Sequence, residues 1–228
     1  MSDSPSIKVT QDGPYLVSGG AVLLRQTIGI NADEEAVEWD EGAEVAAPTK
    51  YALCRCGHSS NKPFCDGSHQ TSGFDGEETA SRQPYELQAE RMSGPELDLT
   101  DAEELCAFAR FCDRNGKVWN QVDHTDEEDV AETFVTQVNQ CPSGRLRAWK
   151  ADSDEAIEED LPQDLCLVED PGEECSGPIW VRGGIPIEAV DGETYEVRNR
   201  VALCRCGASD NKPFCDGTHA KIGFKERD

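Results

Sequence analysis

Three cysteines and one histidine recur with the same spacing at two places in this chain: Cys54, Cys56, Cys65 and His69, then Cys204, Cys206, Cys215 and His219. The surrounding stretches, residues 52–74 and 202–224, agree at 17 of 23 positions, and each copy sets its four donors within sixteen residues. Thiolate and imidazole donors select zinc, copper or iron-sulfur centres, whereas carboxylate and water suit magnesium or calcium. A Cys3His set suits tetrahedral structural zinc. Zinc fingers, however, usually space their cysteine pairs more widely, and here a single residue, Arg55 or Arg205, separates the first two. A C-x-C pair on one iron, with the later Cys and His on a second iron, fits this spacing better. Two metal sites follow, with zinc as the alternative filling.

The neighbouring residues serve such a site. Asp66 and Asp216 are good N-caps for short helices carrying the histidines, and exposed amide N–H groups there would favour an anionic centre. Pro63 and Pro213 stiffen the approach to Cys65 and Cys215. Lys62 and Lys212 place a cation nearby, or are simply solvated charges. A histidine ligand raises a cluster's potential relative to all-thiolate ligation, and protons compete for its ring nitrogen, so potential and lability are expected to depend on pH. His58 aligns with Ala208 and His124 lies in an acidic loop; both are expected to be bystanders.

A third set lies between the repeats: Cys106, Cys112 and Cys141, the last followed by Pro142. Cys-Pro ends the ligand run of bacterial ferredoxins, but position 109, where the usual second cysteine would fall, is Ala109. Three thiolates leave two iron options, a [3Fe-4S] cluster or a [4Fe-4S] cluster whose fourth iron takes another ligand. The competing reading is a buried helix over LCAFARFC with core thiols, although Cys106 and Cys112, six apart, would not share a helix face. Cys166, in an apolar LCLV strand, and Cys175 read as core or free thiols.

Both repeats match the pattern C-x-C-x2-S-x3-P-x-C-D-G-S/T-H at every fixed position and so resemble the CDGSH iron-sulfur proteins (mitoNEET-like). The resemblance implies a [2Fe-2S] cluster on three Cys and one His in each copy, redox-active and transferable to acceptor proteins. Residues 97–150, with a C-x5-C opening, a G-K-x-W strand and a C-P-S-G-x-L ending, resemble the divergent 4Fe-4S mono-cluster ferredoxin-like domain. CDGSH chains commonly pair about a two-fold axis, so two copies in one chain imply an internal pseudo-dimer, as a monomer or within a homodimer.

These sites call for small modules rather than one large core. The repeat extends upstream, with Gly13-Pro14, Val17 and Gly19-Gly20 matching Gly177-Pro178, Val181 and Gly183-Gly184. From the second glycine to the first ligand is 34 residues in one copy and 20 in the other, the excess being an acidic insert around 33–44. In the middle, Thr100/Glu103 and Thr125/Glu128 are capping-box signals, and Val130, Phe134 and Val138 continue the second at helical spacing. Residues 117–122 and 145–150 read as a strand pair. The fold class is therefore α+β: a CDGSH module at 1–82, a ferredoxin-like unit at 83–151, an acidic connection at 152–174 and a second CDGSH module at 175–228.

Composition narrows the function. The formal net charge is −25, from 46 acidic and 21 basic residues, which removes the electrostatic term that dominates nucleic-acid binding and repels anionic lipid. Such acidity matches a halophile-like surface whose self-repulsion is screened by salt; a surface that steers a basic redox partner is the alternative. With no apolar run of ~18 residues, no N-terminal signal pattern and nine of eleven cysteines in ligand patterns, a reducing cytoplasm is expected. No nucleophile–base constellation appears, so an enzyme is not expected. The reading is an electron-transfer protein serving redox partners, with cluster donation to apo iron-sulfur acceptor proteins as the rival and a structural zinc-binding interaction module as the third possibility.

Overall fold

The computed structural model describes residues 4–226. The first region's strands are β1 (Ser6–Val9), β2 (Tyr15–Ser18), β3 (Val22–Ile30), β4 (Ala36–Glu44) and β5 (Tyr51–Leu53); side chains alternate in burial along β1, β2 and β5, whereas β4 is mostly exposed beyond Ala36. The middle region follows with α1 (Tyr85–Gln88), β6 (Glu90–Met92), β7 (Leu97–Asp101), α2 (Val118–Gln121), α3 (Glu128–Asn139), β8 (Leu146–Lys150) and β9 (Ala156–Ile157). The last region holds β10 (Asp164–Asp170), β11 (Cys175–Arg182), β12 (Ile187–Glu188), β13 (Arg200–Leu203) and α4 (Thr218–Lys221).

The two repeats interlock by exchanging a strand. One sheet has the order β12-β1-β2-β5 and the other β13-β11-β10-β3-β4. β1 pairs in parallel with β12 of the second repeat, and β10 pairs in parallel with β3 of the first. Paired glycines make the crossing possible: Gly19 and Gly20, at φ 78° and 73°, and Gly183 and Gly184, at 69° and 72°, occupy the left-handed region where a side chain is disfavoured. Ile7, Tyr15 and Leu53 consequently share one apolar core with Leu165, Ile179 and Leu203. The α+β class stands, but the repeats have a common core rather than one each.

Several local expectations change. Residues 117–122 begin a helix, because Val118 and Val122, four apart, place their side chains against Phe134 and Val138; β8 pairs instead with β7 and β9. Thr100 lies within β7, and the Thr125 hydroxyl accepts from Glu96 and Leu97 N–H at 3.3 and 3.1 Å, bracing that strand rather than capping α3. LCAFARFC is neither helix nor strand after its first turn, since Phe108 and Arg110 sit at φ 57° and 63°. The acidic stretch 152–174 contains β9 and all of β10, whose Leu165, Cys166, Leu167 and Val168 are buried between β3 and β11. The acidic insert is a β3–β4 hairpin, and its Trp39 stacks 4.8 Å from both Phe111 and Trp180 and donates to Gln140 O at 3.1 Å. Among the described residues no helix is long and apolar enough to cross a membrane.

Candidate metal centres

Each repeat builds its ligand loop with the same bonds. Cys54 N–H donates to Pro63 O at 2.8 Å and Cys65 N–H to Ala52 O at 2.9 Å; in the second copy Cys204 donates to Pro213 O and Cys215 to Ala202 O, both at 2.9 Å. The serine of the pattern closes the loop, Ser59 Oγ donating to Phe64 O at 2.6 Å and Ser209 Oγ to Phe214 O at 2.7 Å. Lys62 and Lys212 turn inward and donate to Ser59 O and Ser209 O at 2.8 and 2.6 Å, so their charges brace the loop instead of standing free. The peptide bonds preceding Pro63 and Pro213 are cis.

Asp66 and Asp216 are not the caps expected of them; Gly67 and Gly217 occupy the N-cap positions. Each aspartate instead joins two segments. Asp66 accepts from Ser60 N–H at 2.8 Å and Ser68 N–H at 3.0 Å, and Asp216 from Asp210 and Thr218 N–H at 2.8 and 2.9 Å. Hydrogen bonds from Ser68 and Ser60 hold the Asp66 carboxyl well below its ordinary range.

The donors converge in twos. Cys54 and Cys56 sulfurs are 3.8 Å apart and Cys204 and Cys206 3.6 Å; Cys65 Sγ lies 3.4 Å from His69 Nδ1 and Cys215 Sγ 3.2 Å from His219 Nδ1. Two thiolates bound tetrahedrally at the usual metal–sulfur length of about 2.3 Å stand about 3.8 Å apart. Each pair therefore fits two corners of one tetrahedron, with Nδ1 as the histidine donor atom. Among the described residues no three such side chains gather as a single-ion site. Amides also face the sulfurs, His58 N to Cys56 at 3.4 Å, Gly67 N to Cys65 at 3.4 Å and Gly217 N to Cys215 at 3.5 Å, which suits thiolate and an anionic centre. The donor set fits a two-metal group held by a pair at each end.

Burial raises the cost of empty thiolates. It pushes Cys56 up to about 11 and Cys215 well above its usual range. Hydrogen bonding within the Cys204–Cys206 pair lowers Cys204 and raises Cys206. Binding a metal must expel such protons. Burial and the Arg205 guanidinium lower His219 to about 4, leaving it neutral as a ligand must be.

Arg55 and Arg205 were visible in the sequence only as spacers. Both point away from the sulfurs into the protein. Arg55 donates to Thr10 O and Gly76 O at 3.3 and 2.7 Å and lies 5.6 Å from the Tyr15 and Phe74 rings. Arg205 donates to Gly177 O and Val168 O at 2.7 and 2.6 Å and pairs with Glu169 and Glu226. Each anchor directs the flanking cysteines to the opposite side. Where the loops meet, a Cβ on Gly57 would fall 2.4 Å from Cys206 O, and one on Gly207 2.4 Å from Cys56 O. His58 bonds its own loop at Cys56 O, and His124 lies beside Glu127 at the surface.

The middle set is held by different means. Cys106 ends a 3-10 turn, Cys112 O accepts from Val118 N–H at 3.1 Å, and Cys141 follows α3. All three are half-buried free thiols. Burial first, with Cys141, Asp113 and Cys106 adding to it, pushes Cys112 up to about 12; among the described residues the three thiols do not gather as a single-ion site. Arg145 is fork-bonded to Asp101 at 2.6 and 2.8 Å. The Cys106 segment adjoins the second ligand loop: Ala107 packs on Cys215, and Cys106 O lies 3.7 Å from where a Cβ on Gly217 would stand. Cys166 and Cys175 are buried free thiols in β10 and β11.

Duplicated Cys/Cys and Cys/His pairs on a shared core, with three thiols between them, define an iron-sulfur-binding protein. Residues 12–70 and 176–220 match the family described as "Iron-binding zinc finger CDGSH type", and residues 92–151 match "Divergent 4Fe-4S mono-cluster": the chain carries two CDGSH-type iron-binding regions flanking a divergent mono-cluster region. Comparison with curated proteins and with solved structures gave no match.

Proposed function

We propose that this chain is an electron carrier holding a [2Fe-2S] cluster in each CDGSH region, on Cys54, Cys56, Cys65 and His69 and on Cys204, Cys206, Cys215 and His219. A third cluster, [3Fe-4S] or [4Fe-4S], belongs to Cys106, Cys112 and Cys141. The observation that carries the proposal is the pairing of donors, 3.8 and 3.4 Å apart in one copy and 3.6 and 3.2 Å in the other, which fits two metals per site better than one zinc. Such clusters supply one-electron steps. The chain's own contribution is their order in space: the loops meet at Gly57 and Gly207, and the 106–112 loop packs on Cys215 through Ala107, so the three sites run from middle to second to first.

Anaerobic purification followed by iron, sulfide and zinc counts and EPR tests this. Two [2Fe-2S] signals per chain and a distinct third signal are expected, whereas a colourless zinc protein without acid-labile sulfide would refute it. Replacing His69 and His219 with Cys should lower the potentials and abolish their pH dependence; an unchanged titration rules out histidine ligation. Donation of clusters to apo-proteins is the second reading, favoured by the half-buried Cys65–His69 edge.

A further inference from the structure

The two CDGSH sites have matching internal geometry and unequal surroundings. Their C-x-C pairs are equally enclosed, Cys54 and Cys56 at 4% and 3% exposure against Cys204 and Cys206 at 1% and 8%. The Cys/His pairs are not. Cys65 and His69 are half-buried, whereas Cys215 and His219 retain 2% and 3% exposure.

The loop 106–112 of the middle region makes the difference. A Cβ placed on Gly217 would meet Phe108 Cβ at 3.0 Å and Cys106 O at 3.7 Å, while the equivalent Gly67 has nothing within 4 Å. Ala107 packs on Ala202 and Cys215. The loop is pinned at both ends: Asn211 Nδ2 donates to Glu104 O at 2.7 Å, and the Arg110 fork holds Asp170 at 2.5 and 2.9 Å. A second brace points the same way. The Tyr15 hydroxyl donates to Cys204 O and Pro213 O at 2.8 and 3.0 Å, but its counterpart beside Cys54 and Pro63 is Ile179, which has no donor.

We infer that the sites divide the work: the first, open along Cys65 and His69, is the exchange site that hands its cluster to an acceptor protein, and the second, sealed by Phe108 and its loop, keeps its own. In the exchange, thiolates of an acceptor with four cysteines displace Cys54, Cys56, Cys65 and His69 with no change of oxidation state. The acceptor's thiols release four protons; three return to the vacated cysteines and one passes to solvent. The identity of the cargo depends on the function proposed above, but the inequality of access does not.

The test is metal release from the anaerobic holoprotein, challenged with a chelator or with a four-cysteine apo-ferredoxin and followed by EPR and by iron, sulfide and zinc counts. With the middle cluster followed by its own EPR signal, the two CDGSH sites are expected to release in two phases, the slower by about tenfold or more because it needs local opening of the loop. Cys65→Ser should abolish the fast phase and Cys215→Ser the slow one. Phe108→Gly, which suits the φ of 57° at that position, should accelerate the slow phase alone, and Asp170→Asn, which unpins Arg110, should do the same. A single phase in the wild type, or a slow phase unmoved by both Phe108→Gly and Asp170→Asn, overturns the inference. Zinc without sulfide would refute the proposed function, yet two-phase zinc release responding to Phe108→Gly would still support unequal access.

Discussion

Arg200→Met should unfasten the middle region from the second repeat. Arg200 is 2% exposed and donates to Val138 O, Asn139 O, Cys141 O and Leu146 O at 2.7, 3.1, 2.9 and 3.0 Å, and to both Glu158 oxygens at 2.8 and 2.9 Å. One guanidinium thus closes the end of α3, the carbonyl of Cys141 and the start of β8. Methionine keeps the apolar stem and removes every donor. Val138 O and Cys141 O have second donors in Cys141 N–H and Gly144 N–H, which limits the loss, but Glu158 is left largely buried with Arg147 at 3.7 Å and Asn199 at 3.1 Å. Breaking a buried pair by removing one partner costs about 3–5 kcal/mol, a substantial share of a total stability of about 5–15 kcal/mol. Lysine would restore about 1–2 kcal/mol, since an ammonium cannot match the fork. Lys50, the counterpart in the first repeat, is exposed, so Lys50→Met should change stability by less than about 0.5 kcal/mol. Urea unfolding gives the energies, and hydrogen exchange shows where they act, with faster exchange expected across residues 139–146. An Arg200→Met protein within about 1 kcal/mol of wild type, or one with unchanged exchange at Cys141, would refute the reasoning.

Three further outcomes follow from other parts of the molecule. Burial would raise the carboxyl of Glu158, but the Arg200 guanidinium overrides this and holds it below its ordinary 4.5; the stability it contributes is complete above 4.5 and lost as pH falls through the folded value. Acid titration of unfolding should therefore be shallower below about pH 4.5 in Glu158→Gln than in wild type, and identical slopes would contradict the assignment. Gly57→Ala and Gly207→Ala each drive a Cβ into the other repeat's backbone at φ 76° and 83° and should cost about 3 kcal/mol or more, whereas Gly67→Ala, at a site with open space, should cost about 1–2 kcal/mol; equal losses in thermal melts would count against the contact. With a formal net charge of −25, raising salt from about 0.1 to about 1 M shortens the screening length from about 10 to about 3 Å and should raise the melting temperature. A flat or falling Tm would show that self-repulsion is not limiting.

What the sequence revealed and what it hid separate along a physical line. The two CDGSH-type loops were legible because the loop from Cys54 to His69 is built by bonds within itself, and a local pattern written twice checks its own reading. The α+β class and α3 were legible for the same reason, as their apolar periods are local. Strand exchange was not, because the pattern of β10 specifies burial on both faces without naming β3 as its neighbour. The helix at 118–121 was missed where Val118 and Val122 fit two periods, and only Phe134 and Val138 across the middle core decide between them. Yet the asymmetry between the sites did leave a signal. Two positions at which the repeats differ, Lys50 against Arg200 and Tyr15 against Ile179, mark where one copy gained a contact the other lacks: Arg200 with the middle region, Tyr15 with the opposite ligand loop. In a duplicated chain each copy is a control for the other. Identical residues report what the ligand loop needs to form, and the differing ones report what the second site acquired when the middle region folded over it.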